Sequence, residues 1–275
     1  MQENGYSTYV MGATEHERRR LALQGSILNP LTERFLREAG LSAGMRVLDL
    51  GCGIGDVSLI AARITGPHGS VVGLDPDGAA LETARARANE ESLAQVTFKQ
   101  TAFNDYTSDY LYDAVVGRHV LIHSPDPLGW IRKTKSLLRT GGILAFQEYD
   151  LSHFPHVEPE LPLFRKLSEC LVALFRRAVA YSDTGARLYH WIQLAGFSIT
   201  QTNAECLMSG GLESPYYEWF GETIRSVAPR LEALGLISAA ELDLPTLAAR
   251  LREEAVSRNG CLTTPLMMSS CAQHA

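Results

Sequence analysis

The sequence predicts an α/β fold, a doubly wound parallel sheet wrapped by helices. Strand-like and helix-like segments alternate from residue 46 to 150, as βαβ crossovers do and hairpins do not. The first strand, VLDL, runs directly into a glycine turn, GCGIG, and then into a helical pattern, DVSLIAARITG. Right-handed crossovers bring the loops after such strands to one edge of the sheet, where open α/β folds bind ligands.

The elements follow in order. Residues 1–14 are polar and carry Tyr6 and Tyr9, so they read as an arm. Glu15 to Ala39 is helical in pattern, with a break expected at Asn29-Pro30, because proline disfavours helix in the residue before it. MRVLDL is a buried strand. The helix after the glycine turn ends on its own closing glycine. GSVVGLDPD is a second strand, GAALETARARANEES a second helix, VTFKQTAF a third strand and YDAVVGRHVLIH a fourth. LGWIRKTKSLLRTGG reads as a helix closed by glycines, and ILAFQEYD as the fifth strand. Beyond it, residues 161–180 form a strongly amphipathic helix and TGARLYHWIQLAGF another. SITQTNAECLM is strand-like, 214–258 hold two or three helices, and LTTPLMMSSCAQ returns to strand.

Composition narrows the function. A net charge of −6, with no basic run longer than Arg18-Arg19-Arg20, argues against nucleic acid as a partner. The five cysteines are scattered and form no C-x-x-C pair, which argues against a disulfide framework or a zinc site and suits a reducing compartment. The N-terminus lacks the apolar core of a signal peptide, and no apolar run reaches the ~18 residues of a membrane span. A cytoplasmic protein, with no metal and no membrane partner, is expected.

The glycine turn offers two ligands. The dinucleotide fingerprint G-x-G-x-x-G, counted from Gly51, needs a glycine at 56, where this chain has Asp56; its third glycine is Gly55. An aspartate at that helix start would also repel a pyrophosphate. The whole pattern resembles the class I S-adenosylmethionine-dependent methyltransferases: VLDLGCGIG, then Asp75 in VVGLDPD, VTFKQTAF, YDAVVGRHVLIH and LRTGGILAFQEYD in the same order and spacing. The resemblance covers residues 40–150 and extends in part from 184 onward. It is nearest to small-molecule methyltransferases with an N-terminal arm and a helical cap.

The resemblance implies a Rossmann-like seven-stranded sheet of order 3-2-1-4-5-7-6 and S-adenosylmethionine as cofactor, with S-adenosylhomocysteine as product. It implies an arm and lid helices over 1–40, a cofactor core over 41–150 and a cap helix over 151–183. A return to the core over 184–210, a second cap over 211–260 and a last core strand over 261–275 complete it. Gly51, Gly53 and Gly55 would let the ligand approach the main chain, and Asp49 would receive its amine. Asp75 would accept the ribose hydroxyls, with Pro76 fixing its turn. Ala102 and Phe103 would meet the adenine, the carbonyls of Gly117 and Arg118 the amine, and Tyr9 would fold over the cofactor from the arm.

Methyl transfer needs an aligned acceptor, excluded water and, for a protic acceptor, a base. His119 after the fourth strand is the first candidate, and Glu148 at the end of the fifth the second; Asp150, His123, His153 and His156 are weaker. Tyr6, Phe154, Phe175, Tyr216, Tyr217, Trp219 and Phe220 are the expected acceptor-pocket residues. They point to a small, aromatic or heterocyclic acceptor, methylated on carbon, nitrogen or oxygen. The alternatives are a protein of this fold that binds the cofactor without methyl transfer, and an NAD(P)-dependent oxidoreductase. A homodimer is also compatible with the cap helices.

Overall fold

The computed structural model describes residues 10–11 and 15–275. Tyr6 and Tyr9 lie outside the described residues. Along the chain run α1 (Glu15–Glu38), β1 (Arg46–Leu50), α2 (Asp56–Thr65), β2 (Ser70–Asp75), α3 (Gly78–Glu90), β3 (Val96–Gln100) and β4 (Tyr112–Arg118). They are followed by α4 (Pro127–Leu137), β5 (Leu138–Asp150), α5 (Pro162–Ala178), α6 (Thr184–Leu194), β6 (Ser198–Glu205) and β7 (Met208–Gly210). The chain ends with α7 (Tyr216–Ala233), α8 (Ala239–Leu242), α9 (Leu247–Ser257), β8 (Cys261–Thr263) and β9 (Leu266–Gln273).

Seven strands form one sheet in the order β3-β2-β1-β4-β5-β9-β6. Counted along the chain within this sheet, that is 3-2-1-4-5-7-6, the order the resemblance implies. β1 pairs parallel with β2 and β4, and β2–β3 and β4–β5 are parallel as well. Burial follows position. β1 and β2 are buried along almost their whole length, as strands covered on both faces must be, whereas β6 at the edge alternates exposed and half-buried. Local chemistry starts and stops the helices. The Asp77 side chain accepts from the N–H groups of Ala79 and Ala80 to cap α3, and Asp126, followed by Pro127, caps α4 through Gly129.

The chain divides into two compact units. One holds residues 28–148, 185–203 and 268–275, hence most of the sheet. Its core includes Phe35 and Leu36 of α1, Ile60 and Ile64 of α2, and the strand residues Val47, Val71, Ala114, Val116 and Ile143. The strand residues recur at every second position, so they share one face of the sheet.

The other unit holds residues 1–27, 149–184 and 204–267. Its centre is α7, whose Tyr217, Phe220, Ile224, Val227 and Leu231 are fully buried at helical spacing, and α7 packs against α5 and α9. Phe154, Phe164 and Phe220 meet edge to face, with centroids 4.9–6.2 Å apart. Glu254 of α9 accepts from the N–H groups of Leu163 and Phe164, at 2.8 and 3.2 Å, and so satisfies the first turn of α5.

Three local expectations are corrected. Pro30 does not break α1, which runs unbroken from Glu15 to Glu38. The carbonyl that loses its donor there is Ser26, an exposed residue that water can serve, while buried Leu28, Leu31, Phe35 and Leu36 hold the helix in place. The glycines of LRTGG do not close a helix. α4 ends at Leu137, and Gly141 and Gly142 enter β5 by pairing with His274, Gly141 N donating to its carbonyl at 2.7 Å and its N–H donating to Gly142 at 2.9 Å. LTTPLMMSSCAQ is not one core strand over 261–275. Thr264-Pro265 divides it, and Cys261–Thr263 pairs antiparallel with Met208–Gly210, of the expected return to the core, in a separate two-stranded sheet.

Candidate active site

At or just after the ends of the parallel strands lie Gly51, Gly53, Gly55, Asp75, Ala102, Phe103, Arg118, His119 and Glu148, which the sequence singles out. The three glycines of the turn after β1 differ in what they do. All have positive φ, at 62°, 52° and 90° for Gly51, Gly53 and Gly55. A Cβ on Gly51 would lie 2.5 Å from Val120 Cγ2, and one on Gly55 would lie 3.0 Å from Ala84 of α3. Packing therefore demands both of those glycines. A Cβ on Gly53 would meet nothing within 4 Å among the described residues. Gly53 is the position where the turn leaves open space, and its N–H donates to Asp75 Oδ2 at 2.9 Å.

Asp75 ends β2 with both oxygens engaged, the second accepting from Asp77 N at 2.9 Å. Each oxygen keeps a lone pair for a further donor. Burial raises the Asp75 carboxyl above its ordinary range, against the two N–H groups that lower it. Asp49 lies inside β1 and is almost wholly buried. Ser58 of α2 donates to its Oδ2 at 2.6 Å, while Oδ1 has no hydrogen-bond partner among the described residues. Burial pushes Asp49 up to about 7; Ser58 and Arg118 oppose this, and the negative charge of Asp75 adds to it. An orphaned carboxylate oxygen beside a second acid is the environment a cationic amine relieves. These acceptor oxygens thus fit the amine and the ribose hydroxyls of the implied cofactor.

The start of α2 is occupied from within. Asp56 Oδ1 accepts from Arg87 at 2.7 Å and from Asn29 at 3.3 Å, and Arg118 reaches Asp56 Oδ2 at 3.5 Å. Arg118 also donates to Asn29 at 3.0 Å and to Thr32 at 2.8 Å. This buried carboxylate stands where a dinucleotide would put its pyrophosphate, which argues against the NAD(P) reading. The sequence reading placed only the main chain of Arg118 in the site; its side chain ties α1 to α2. It also passed over Ser58 and Arg87. The signal for Ser58 is a polar residue in the first turn of an otherwise apolar helix that follows a strand acid.

Ala102, exposed after β3, precedes a short turn over Phe103–Asp105. The Phe103 ring is buried edge-on against Trp130 at 5.3 Å, with Lys133 Nζ 5.0 Å from its centroid, so packing already accounts for it. Pro76 is exposed, and its carbonyl accepts from Gln100 at 3.2 Å. A Cβ on Gly117 would lie 2.6 Å from the Phe146 ring, so this glycine lets β5 approach β4.

His119 follows β4 with φ 54°, a conformation few non-glycine residues hold. Its N–H donates to the Gln147 carbonyl at 2.8 Å. The next two N–H groups, of Val120 and Leu121, donate to Glu148 Oε1 at 2.8 and 2.7 Å. The fully buried Glu148 thus clamps the turn that carries His119. Its burial raises the carboxyl to about 8, opposed by these N–H groups. Its Oε1 is spent on the backbone, while Oε2 is buried with no hydrogen-bond partner among the described residues.

The aromatic candidates Phe154, Phe175, Tyr216, Tyr217, Trp219 and Phe220 belong to the other unit. Tyr217 and Phe220 are 0% exposed. Phe220 is packed against Phe154 and Phe164, and the Tyr217 hydroxyl donates to the Gly211 carbonyl at 3.0 Å. Tyr217 and Phe220 are core residues of that unit.

A methyltransferase-domain family profile matches residues 41–196, more than half of the chain. The chain belongs to the class I S-adenosylmethionine-dependent methyltransferases. A ubiquinone biosynthesis O-methyltransferase of Actinobacillus pleuropneumoniae serotype 5b (strain L20) is 34% identical over 127 residues, 44% of this chain and 53% of that protein. The chain thus spans about half the length of such relatives. The aklanonic acid methyltransferase DauC of Streptomyces sp. (strain C5) is 27% identical over 219 residues, 75% of this chain and 100% of that protein. Among solved structures, the [4+2]-cyclase SpnF matches 98% of this chain and 86% of its own with a TM-score of 0.54 and 18% identity. Coclaurine N-methyltransferase, bound to N-methylheliamine and S-adenosylhomocysteine, matches 89% and 72% with a TM-score of 0.55 and 16% identity. At such identities the likeness is one of fold.

Proposed function

We propose that this chain transfers a methyl group from S-adenosylmethionine to a small aromatic acceptor. The observation that carries the cofactor half is the pair of acids Asp49, inside β1, and Asp75, at the end of β2, with Asp49 Oδ1 lacking a hydrogen-bond partner among the described residues and open space at the left-handed Gly53. In this reading Asp49 holds the amine, Asp75 holds both ribose hydroxyls, and the Gly53 backbone gives the ligand room. When bound, the cofactor supplies an electrophilic methyl group on a sulfonium.

The chain's own residues then do three things. The glycine turn and Asp75 fix the donor. His119, in its strained turn, orients the acceptor and takes its proton at an imidazole nitrogen. Glu148 holds that turn still. The aromatic acceptor is supported by relatives named for ubiquinone biosynthesis and for aklanonic acid. Because the fold is shared with a [4+2]-cyclase, fold does not fix the chemistry, and turnover decides. The test is a labelled-methyl assay against a panel of phenols and aromatic amines. Transfer to at least one of them, reduced about a hundredfold in His119→Ala, supports the proposal. Tight cofactor binding with no transfer to any of them supports the non-methylating alternative.

A further inference from the structure

β1 lies between β2 and β4, and the register of those pairs brings three charged residues together. Asp49 pairs with Gly73 of β2 on one side and with Val116 of β4 on the other. Two residues further along these neighbours come Asp75 and Arg118. Residues two apart in a strand share a face, so Asp75, Asp49 and Arg118 lie on one face of the sheet. Asp49 thus has an acid on one flank and a guanidinium on the other. The remaining groups around it are neutral. A Cβ on Gly73 would lie 2.8 Å from Ser58 Oγ and 2.9 Å from Cys52 Sγ, so a hydroxyl and a thiol fill the space beside Asp49. Burial, and then the charges of Asp49 and Asp75, hold that thiol well above its usual range. Among these groups Arg118 alone is a cation.

The Arg118 side chain is 5% exposed and is held from two helices. Its guanidinium donates to Asn29 and Thr32 of α1 at 3.0 and 2.8 Å, and lies 3.5 Å from Asp56 of α2. Asp56 takes a closer ion pair from Arg87 of α3, at 2.7 Å, so its neutralisation does not require Arg118. Asn29 and Thr32 carry no charge, so they fix the guanidinium without cancelling it. All of these residues belong to the unit that holds most of the sheet. A buried cation fixed on the neighbouring strand favours an anion at Asp49. Its charge opposes the rise that burial imposes on Asp49, whereas that of Asp75 adds to it.

We infer that Arg118 is a positioning residue for the cofactor: held by α1 and Asp56, its guanidinium supplies the charge that lets buried Asp49 meet the cofactor's amine as a carboxylate. The inference rests on the reading of Asp49 as the partner of that amine. Arg118 acts through Asp49 and takes no part in methyl transfer. A cation here also opposes the cationic amine, so its benefit is confined to the pH range in which Asp49 would otherwise carry a proton.

The test is calorimetric titration of the full chain with S-adenosylhomocysteine from pH 6 to pH 8.5. Beside it, the aspartate carboxyl carbons of the ligand-free protein are titrated by NMR, with Asp49 assigned from Asp49→Asn. Arg118→Gln removes the charge and should raise the Asp49 midpoint by about one pH unit. Its S-adenosylhomocysteine affinity should be about tenfold below wild type at pH 6 and within about threefold of it at pH 8.5. Arg118→Lys keeps the charge but loses the planar fork, and should leave the midpoint within about half a unit of wild type. Asp56→Asn keeps Arg118 and removes its other carboxylate, and should lower the midpoint. A purely structural role predicts something else: binding weakened equally at every pH, and Lys and Gln variants alike. An unmoved midpoint in Arg118→Gln, or equal shifts in Arg118→Gln and Arg118→Lys, overturns the inference and leaves the cofactor reading standing. Should Arg118→Gln fail to fold, Asp56→Asn decides, and a midpoint that stays or rises there overturns the inference. A wild type that binds no S-adenosylhomocysteine overturns both.

Discussion

At the scale of single residues, the site depends on carboxyl groups that burial makes hard to ionise. Asp49 is held near 7 and Glu148 near 8, against about 4 in an unfolded chain. Between those limits the folded protein holds protons that the unfolded chain has released. Their stabilisation is fully present below about pH 4 and is lost as pH rises through 7 to 8. The ligand-free protein should therefore melt at a lower temperature at pH 8 than at pH 6, and Asp49→Asn should flatten that difference; a pH dependence identical to wild type would exclude Asp49 as its source. A bound amine favours ionised Asp49, so S-adenosylhomocysteine affinity should rise from pH 6 to pH 8 with release of a proton, measurable by titration in buffers of different ionisation enthalpy. Glu148 separates a clamp from a base. Glu148→Gln keeps an oxygen for Val120 and Leu121 and should retain most turnover, whereas Glu148→Ala should lose roughly a hundredfold in kcat/KM and melt earlier. A Gln variant as inactive as the Ala variant would restore Glu148 to the chemistry.

At the scale of elements, the glycine turn divides into folding and binding positions. Gly51→Ala and Gly55→Ala press a methyl into Val120 and into α3, and should fold poorly. Gly53→Ala meets open space and pays only for its left-handed backbone, about 1 kcal/mol. It should melt near wild type and yet bind S-adenosylhomocysteine at least tenfold more weakly; unchanged affinity would show that the open space is not for the ligand. The strand-helix alternation was legible in the sequence because β1, β2 and β4 are mainly apolar and helix-patterned segments lie between them. The places of Asp49 in β1, Gly53 in the turn and Asp75 at the end of β2 were legible because the turn and the second strand end fall in register. Pro30, Gly141-Gly142 and Thr264-Pro265 misled, since each is settled by what lies beside it: a solvated carbonyl, the paired His274 and the partner strand β7. That Phe220 is buried and that Glu148 Oε1 holds the N–H groups of Val120 and Leu121 was not legible in residue type, because tertiary packing decides both.

At the scale of the whole molecule, one unit of the chain carries most of the seven-stranded sheet with Asp49 and Asp75, and the other carries α7. A ligand that binds the folded state alone raises the melting temperature of the chain by mass action. The central claim is that the edge of the sheet binds the methyl donor through Asp49, Gly53 and Asp75. The most direct test is calorimetric titration of the purified chain with S-adenosylhomocysteine, with NAD as the control and Asp75→Ala alongside. Micromolar, one-to-one binding of S-adenosylhomocysteine is expected, weakened at least tenfold in Asp75→Ala, with no heat from NAD. Binding of NAD instead, or S-adenosylhomocysteine affinity indifferent to Asp75, would contradict it.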